Sequence, residues 1–187
     1  MRFRAAFASV IFGLAVLAGC DRHPTGTTID DAPVVDMELM AFLSEARAFH
    51  HQANLKEESG DIPGAAAALQ RLVVARRPSA KAPEVEEVLA DAYARLAELE
   101  LKQNHLDAAT KALADGLSHA PDATYFRGHL VEVQGLVEEA RGLALADAGK
   151  PEDAARAREK AIQLPEEVVR IQDQVIQRSL AGKDGGR

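Results

Sequence analysis

Three stretches of this sequence carry the same landmarks in the same order, and that recurrence limits the fold more than any other feature. Gly60-Asp61-Ile62 leads through Ala65 to Pro78, Asn104-His105-Leu106 through Ala109 to Pro121, and Gly149-Lys150-Pro151 through Ala154 to Pro165. The prolines stand 43 and 44 residues apart. Self-similarity at a fixed period marks stacked units that bury their apolar faces only against neighbours. Both halves of each unit read as helices. From Glu84 to Gln103, Val85, Val88, Leu89, Ala92, Tyr93, Leu96 and Leu99 recur at helical spacing with no Gly or Pro between them. Asn104 is suited to a left-handed helix stop. Asp107 to His119 then sets Ala109, Ala112, Leu113, Gly116 and Leu117 on one face, and Pro121 closes the unit.

Composition agrees with closely packed helices. Of 187 residues 47% are hydrophobic, yet only 4% are aromatic, and Phe3, Phe7 and Phe12 lie at the extreme N-terminus. The core must therefore come from Ala, Leu and Val. Ala65, Ala109 and Ala154 share one position in the second helix of each unit, where a small side chain lets the paired helix approach and a larger one would overpack. From Glu166 to Leu180 a final helix is expected, with Val168, Ile171, Val175 and Ile176 as its stripe, capping the stack or serving self-association. Residues 182–187 are expected to form a disordered tail.

The middle unit resembles the tetratricopeptide repeat, through Ala92-Tyr93, Leu96-Ala97, Gln103-Asn104, Leu106-Asp107, Ala109, Leu113, Leu117 and Pro121. The outer units keep fewer landmarks: Gln52 stands where the family has leucine, and Glu138 and Arg141 replace apolar residues. The period exceeds the family's by about three helical turns. The resemblance therefore implies an all-α, right-handed superhelical stack of three units with elongated first helices over about residues 37–165. A C-terminal helix would complete the domain to residue 181.

Met1 to Cys20 reads as an address. Arg2 and Arg4 precede an apolar run from Ala5 to Ala18, which as a helix spans only about 21 Å, short of the roughly 30 Å of a bilayer core. Leu17-Ala18-Gly19-Cys20 resembles the lipobox of bacterial lipoprotein precursors. That resemblance implies removal of residues 1–19, a diacylglycerol thioether on Cys20 and a place in the cell envelope, facing the periplasm. Asp21 after the cysteine leans toward the inner membrane. Two or three acyl chains anchor durably where one is marginal. Residues 20–36, rich in Pro, Gly, Thr and Asp, read as a flexible tether reaching about 50 Å.

Chemistry leaves few marks. A single Cys excludes an intrachain disulfide and any four-Cys metal site, and the formal charge of −7 argues against nucleic acid as a partner. Neither a phosphate loop nor CxxC, CxxCH, HExxH or GxSxG occurs, so no cofactor, metal or catalytic residue is expected, and the chain reads as a non-enzyme. No two of the six histidines stand at i, i+4 as ligands sharing an ion on a helix would, so they read as ordinary exposed or half-buried side chains.

The tetratricopeptide resemblance implies a groove lined by first helices that holds a peptide or protein segment. Position by position it selects Arg47, His50, His51, Asn54 and Glu57, then Asp91, Arg95, Glu98 and Lys102, then Leu136, Glu139, Leu143 and Asp147. The expectation is a lipid-anchored adaptor for another envelope protein, in assembly of a larger complex. The alternative is a structural subunit that self-associates or joins a complex through its C-terminal helix.

Overall fold

The computed structural model describes residues 36–184. The expected leader, Cys20 as the expected lipidation site and all of the expected tether but Asp36 lie outside that range. Among the described residues the chain is entirely helical: α1 Met37–Glu58, α2 Ile62–Val73, α3 Pro83–Lys102, α4 Leu106–His119, α5 Tyr125–Asp147 and α6 Pro151–Asp184.

Local chemistry sets most boundaries. Side chains of Asp36, Asp61 and Thr124 cap α1, α2 and α5 by accepting from Leu39 N (3.0 Å), Gly64 N (2.9 Å) and Arg127 N (3.2 Å). α3 has no side-chain cap and opens instead with Pro83 and the first-turn acids Glu84 and Glu86.

The turns joining α1 to α2, α3 to α4 and α5 to α6 are copies of one another. Gly60, Asn104 and Gly149 have φ of 80°, 61° and 72°, and no other described residue has positive φ. Each donates to the carbonyl three residues back: Gly60 to Glu57 (2.9 Å), Asn104 to Leu101 (2.8 Å), Gly149 to Ala146 (3.0 Å). Each following residue reaches five back: Asp61 to Lys56 (2.8 Å), His105 to Glu100 (2.9 Å), Lys150 to Leu145 (2.9 Å). This is the Schellman stop, and it satisfies carbonyls that the ended helix leaves without donors. Immediately after it Ala65, Ala109 and Ala154 are buried, as the repeat requires.

Sequential helices pack in antiparallel hairpins, α1 with α2, α3 with α4 and α5 with α6, and α3 touches both α1 and α5 directly. The first helices therefore form one layer, with α2 and α4 behind it. One core cluster joins Leu69, Leu96, Leu99, Leu113, Leu130, Val133 and Val137 across hairpins; a second gathers Phe42, Leu72, Val85 and Leu89 at the N-terminal end. Glu100, the one buried charge among the described residues, is held by Gln70 (3.3 Å) from the first hairpin and His105 (2.9 Å) from its own.

Two expectations for the C-terminus need correction. Pro165 does not close a unit, and no separate capping helix follows: α6 runs unbroken through Pro165 to Asp184, into the stretch expected to be a disordered tail. A mid-helix proline costs about 3 kcal/mol. Packing on both sides of it prevails, for Ala154 and Ala157 before and Ile171 after are all buried, with α5 the one helix in contact with α6. The proposed stripe also divides. Ile171 is buried and Val168 and Val175 half-buried, while Ile176 is exposed together with Ile162, Val169 and Leu180. The outward apolar row is thus a different one, because α6 turns its first stripe inward along its length.

Candidate functional site

On the layer of first helices, polar side chains at helical spacing meet across hairpins. α1 contributes His50, Asn54 and Glu57; α3 contributes Asp91, Arg95, Glu98 and Lys102; α5 contributes His129. Arg95 is the hub, donating to Asn54 Oδ1 at 2.8 Å, standing 3.0 Å from His50 Nδ1 and pairing with Glu57 at 3.4 Å. Lys102 also pairs with Glu57. Asp91 lies between two histidines, 3.8 Å from His50 Nε2 and 3.9 Å from His129 Nδ1, and His129 Nε2 meets Glu98 at 3.2 Å.

Seven expected groove residues are thereby brought together: His50, Asn54, Glu57, Asp91, Arg95, Glu98 and Lys102. Arg47 and His51 are exposed on α1 and take no part in the network. Leu136, Glu139, Leu143 and Asp147 lie farther along α5, outside it.

His129 was not selected from the sequence, and register explains the omission. His50 stands ten residues before Gly60 and meets Arg95, nine before Asn104. His129 stands twenty before Gly149, yet meets Glu98, only six before Asn104. α5 is thus shifted along its axis relative to α3, in a way α3 is not relative to α1. Carrying repeat positions into the third unit therefore lands beyond the polar cluster, and no signal in the sequence reports such a shift.

The two histidines have opposite proton affinities. Burial, opposed by the Asp91 carboxylate and reinforced by Arg95, holds His50 below the ordinary value of 6.5. The hydrogen bond to Glu98, against the burial penalty and with the charges of Glu98, Asp91 and Glu132, lifts His129 above 6.5. His129 Nδ1 is buried without a hydrogen-bond partner. Glu57 is held below the usual carboxylate value, first by its hydrogen bond from Lys102.

Linkage gives the sign. His129, with a raised folded value, contributes stability fully present below pH 6.5 and lost as pH rises through that folded value; His50 contributes stability present above 6.5 and lost as pH falls through its own. Histidine titrations by NMR are expected to straddle 6.5 in that order. His129→Gln is expected to lose most against the parent on the acid side of 6.5, and His50→Gln to narrow its deficit there, read as urea midpoints across pH 5–8. A His129 value at or below that of His50 would contradict this assignment.

Among the described residues no three His, Cys, Asp or Glu side chains are arranged to hold a metal ion. Arg95 and Lys102 are engaged by partners within the protein, and the network links three helices laterally. Compared with models of known families the chain matches none, and no curated protein matches it.

Proposed function

We propose that this protein is a non-catalytic, lipid-anchored adaptor of the bacterial cell envelope, facing the periplasm. It holds a segment of another envelope protein against the layer formed by α1, α3 and α5, during assembly of a larger complex. The observation that carries the reading is the threefold recurrence of one turn, with φ of 80°, 61° and 72° at Gly60, Asn104 and Gly149. With α3 touching both α1 and α5, it supports a tetratricopeptide-like superhelical stack, an architecture that offers its first helices to peptides. The lipobox-like Leu17-Ala18-Gly19-Cys20 supports the anchor, and no helix among the described residues is long and apolar enough to cross a membrane. Anchoring confines the search to the membrane's neighbourhood and raises the effective concentration of a partner there. Asp21 favours the inner membrane.

A second reading is a structural subunit that joins a copy of itself or a complex through α6. The exposed row Ile162, Val169, Ile176 and Leu180 favours it.

Photo-crosslinking in the native envelope separates the two. Probes at His51 and Arg95 are expected to capture one envelope protein, while a probe at the exposed Lys111 on α4 captures none. Capture from Ile176 alone would displace the groove reading in favour of α6.

A further inference from the structure

Beyond the polar network, the same face of α5 continues as Glu132, Leu136, Glu139 and Leu143, at intervals of three or four residues. Here it borders α6 across a cleft of about 350 Å³, lined by Glu132, Gly135, Leu136, Glu139, Ala161, Pro165 and Val168. Leu136 and Leu143 are 46% and 57% exposed, and Ile162 and Val169 on α6 are 65% and 60% exposed. Apolar surface of this kind on a stack's last hairpin is unusual, since terminal units ordinarily turn a polar face outward.

Two features specify the occupant. The first is charge. Neither Glu132 nor Glu139 forms a salt bridge among the described residues, whereas Glu138 between them is paired with both Arg141 and Lys160. The charged residues among those lining the cleft are these two carboxylates, which gives it a negative wall. The second is Pro165. It has no N–H, so the Ala161 carbonyl, four residues earlier, lacks its helical donor, and both residues line the cleft. An apolar floor, two carboxylates and an acceptor without its helical donor complement an amphipathic helix that carries Lys or Arg beside its apolar stripe.

We infer that the α5–α6 cleft is the docking site for a cationic amphipathic helix of a partner protein, with Leu136 in the cleft and Leu143 beyond it on the same face of α5 taking its apolar side chains, and Glu132, Glu139 and the Ala161 carbonyl taking its cations. The inference rests on the adaptor reading and adds where the partner binds and which chemistry it presents.

The test uses the full chain in neutral detergent with a fluorescein-labelled leucine/lysine amphipathic peptide of about 20 residues and its leucine/glutamate counterpart. Anisotropy is expected to show binding of the lysine peptide only. E132K/E139K is expected to weaken it about tenfold, while the same charge change as E84K/E87K on α3 leaves it within about twofold. Pro165→Ala restores an N–H for the Ala161 carbonyl, and is expected to raise stability while weakening binding about threefold, a pairing that a purely structural role would not produce. Equal binding of both peptides, or equal loss from both charge reversals, would overturn the inference. So would concentration-dependent dimerisation that Leu136→Ser abolishes, since a second copy would then be the occupant. Crosslinks from His51 and Arg95 without peptide binding in the cleft would overturn this site and leave the adaptor standing.

Discussion

Leu130→Ala is expected to cost about 2–5 kcal/mol and to lower Tm by roughly 5–15 °C. Leu130 is fully buried where α5 crosses onto α3 and α4, in the core cluster that joins hairpins. Its methyl groups reach the backbone of Gly116 on α4 and it packs beside Tyr93 on α3. Three helices meet at this one side chain, so the cavity left by alanine cannot close by moving any one of them. Helical signal without denaturant should remain near that of the parent, while the urea midpoint falls. A loss under 1 kcal/mol would mean that the third hairpin is held elsewhere.

Two glycines at buried helical positions are expected to respond to alanine with opposite signs. A Cβ on Gly116 would lie 2.6 Å from Leu130 Cδ2 and 2.8 Å from Tyr93 Cβ, and Tyr93 Cβ cannot rotate away. Overpacking outweighs the roughly 1 kcal/mol that alanine adds to helix propensity, leaving a net loss of about 1–2 kcal/mol. On Gly135 the new Cβ would lie 3.7 Å from Leu164 Cβ, an ordinary contact, so Gly135→Ala is expected to gain about 0.5–1 kcal/mol. The Gly116→Ala and Leu130→Ala changes should also couple, the double variant losing less than the two single losses together, because removing the leucine removes part of the clash. Denaturant curves for the four variants decide the matter. Destabilisation by Gly135→Ala as large as by Gly116→Ala would show that helix spacing, not the Leu130 contact, sets the cost.

Residue by residue, the site and the fold differed in how far the sequence disclosed them. Gly60, Asn104 and Gly149 announced their turns because a left-handed residue followed by a new apolar period has few other uses, and α3 and α4 lie within a residue of the limits read from spacing. Ala65, Ala109 and Ala154 announced close packing because the same small residue returned at the same place. Pro165 misled, since its local penalty is plain in the sequence, whereas the opposing burial of Ala154, Ala157 and Ile171 against α5 exists only once the hairpin has closed. Val168 and Val175 misled for the same reason: a stripe states that a face is apolar and leaves open what covers it.

The candidate site divides along the same line. Residues on α1 and α3 were legible because those helices keep the repeat's register, and His50, Asn54, Glu57, Asp91, Arg95 and Lys102 meet where that register puts them. His129 and the α5–α6 cleft were not, since the first depends on how far α5 slides along α3 and the second on the line α6 takes over α5. Periodicity, turn chemistry and the position of small residues are properties of neighbours in the chain, so they can be read in one dimension. Axial offset between packed helices, the side of a helix left uncovered and the proton affinity of a histidine arise from atoms distant in sequence, and only the assembled stack brings them within reach of one another.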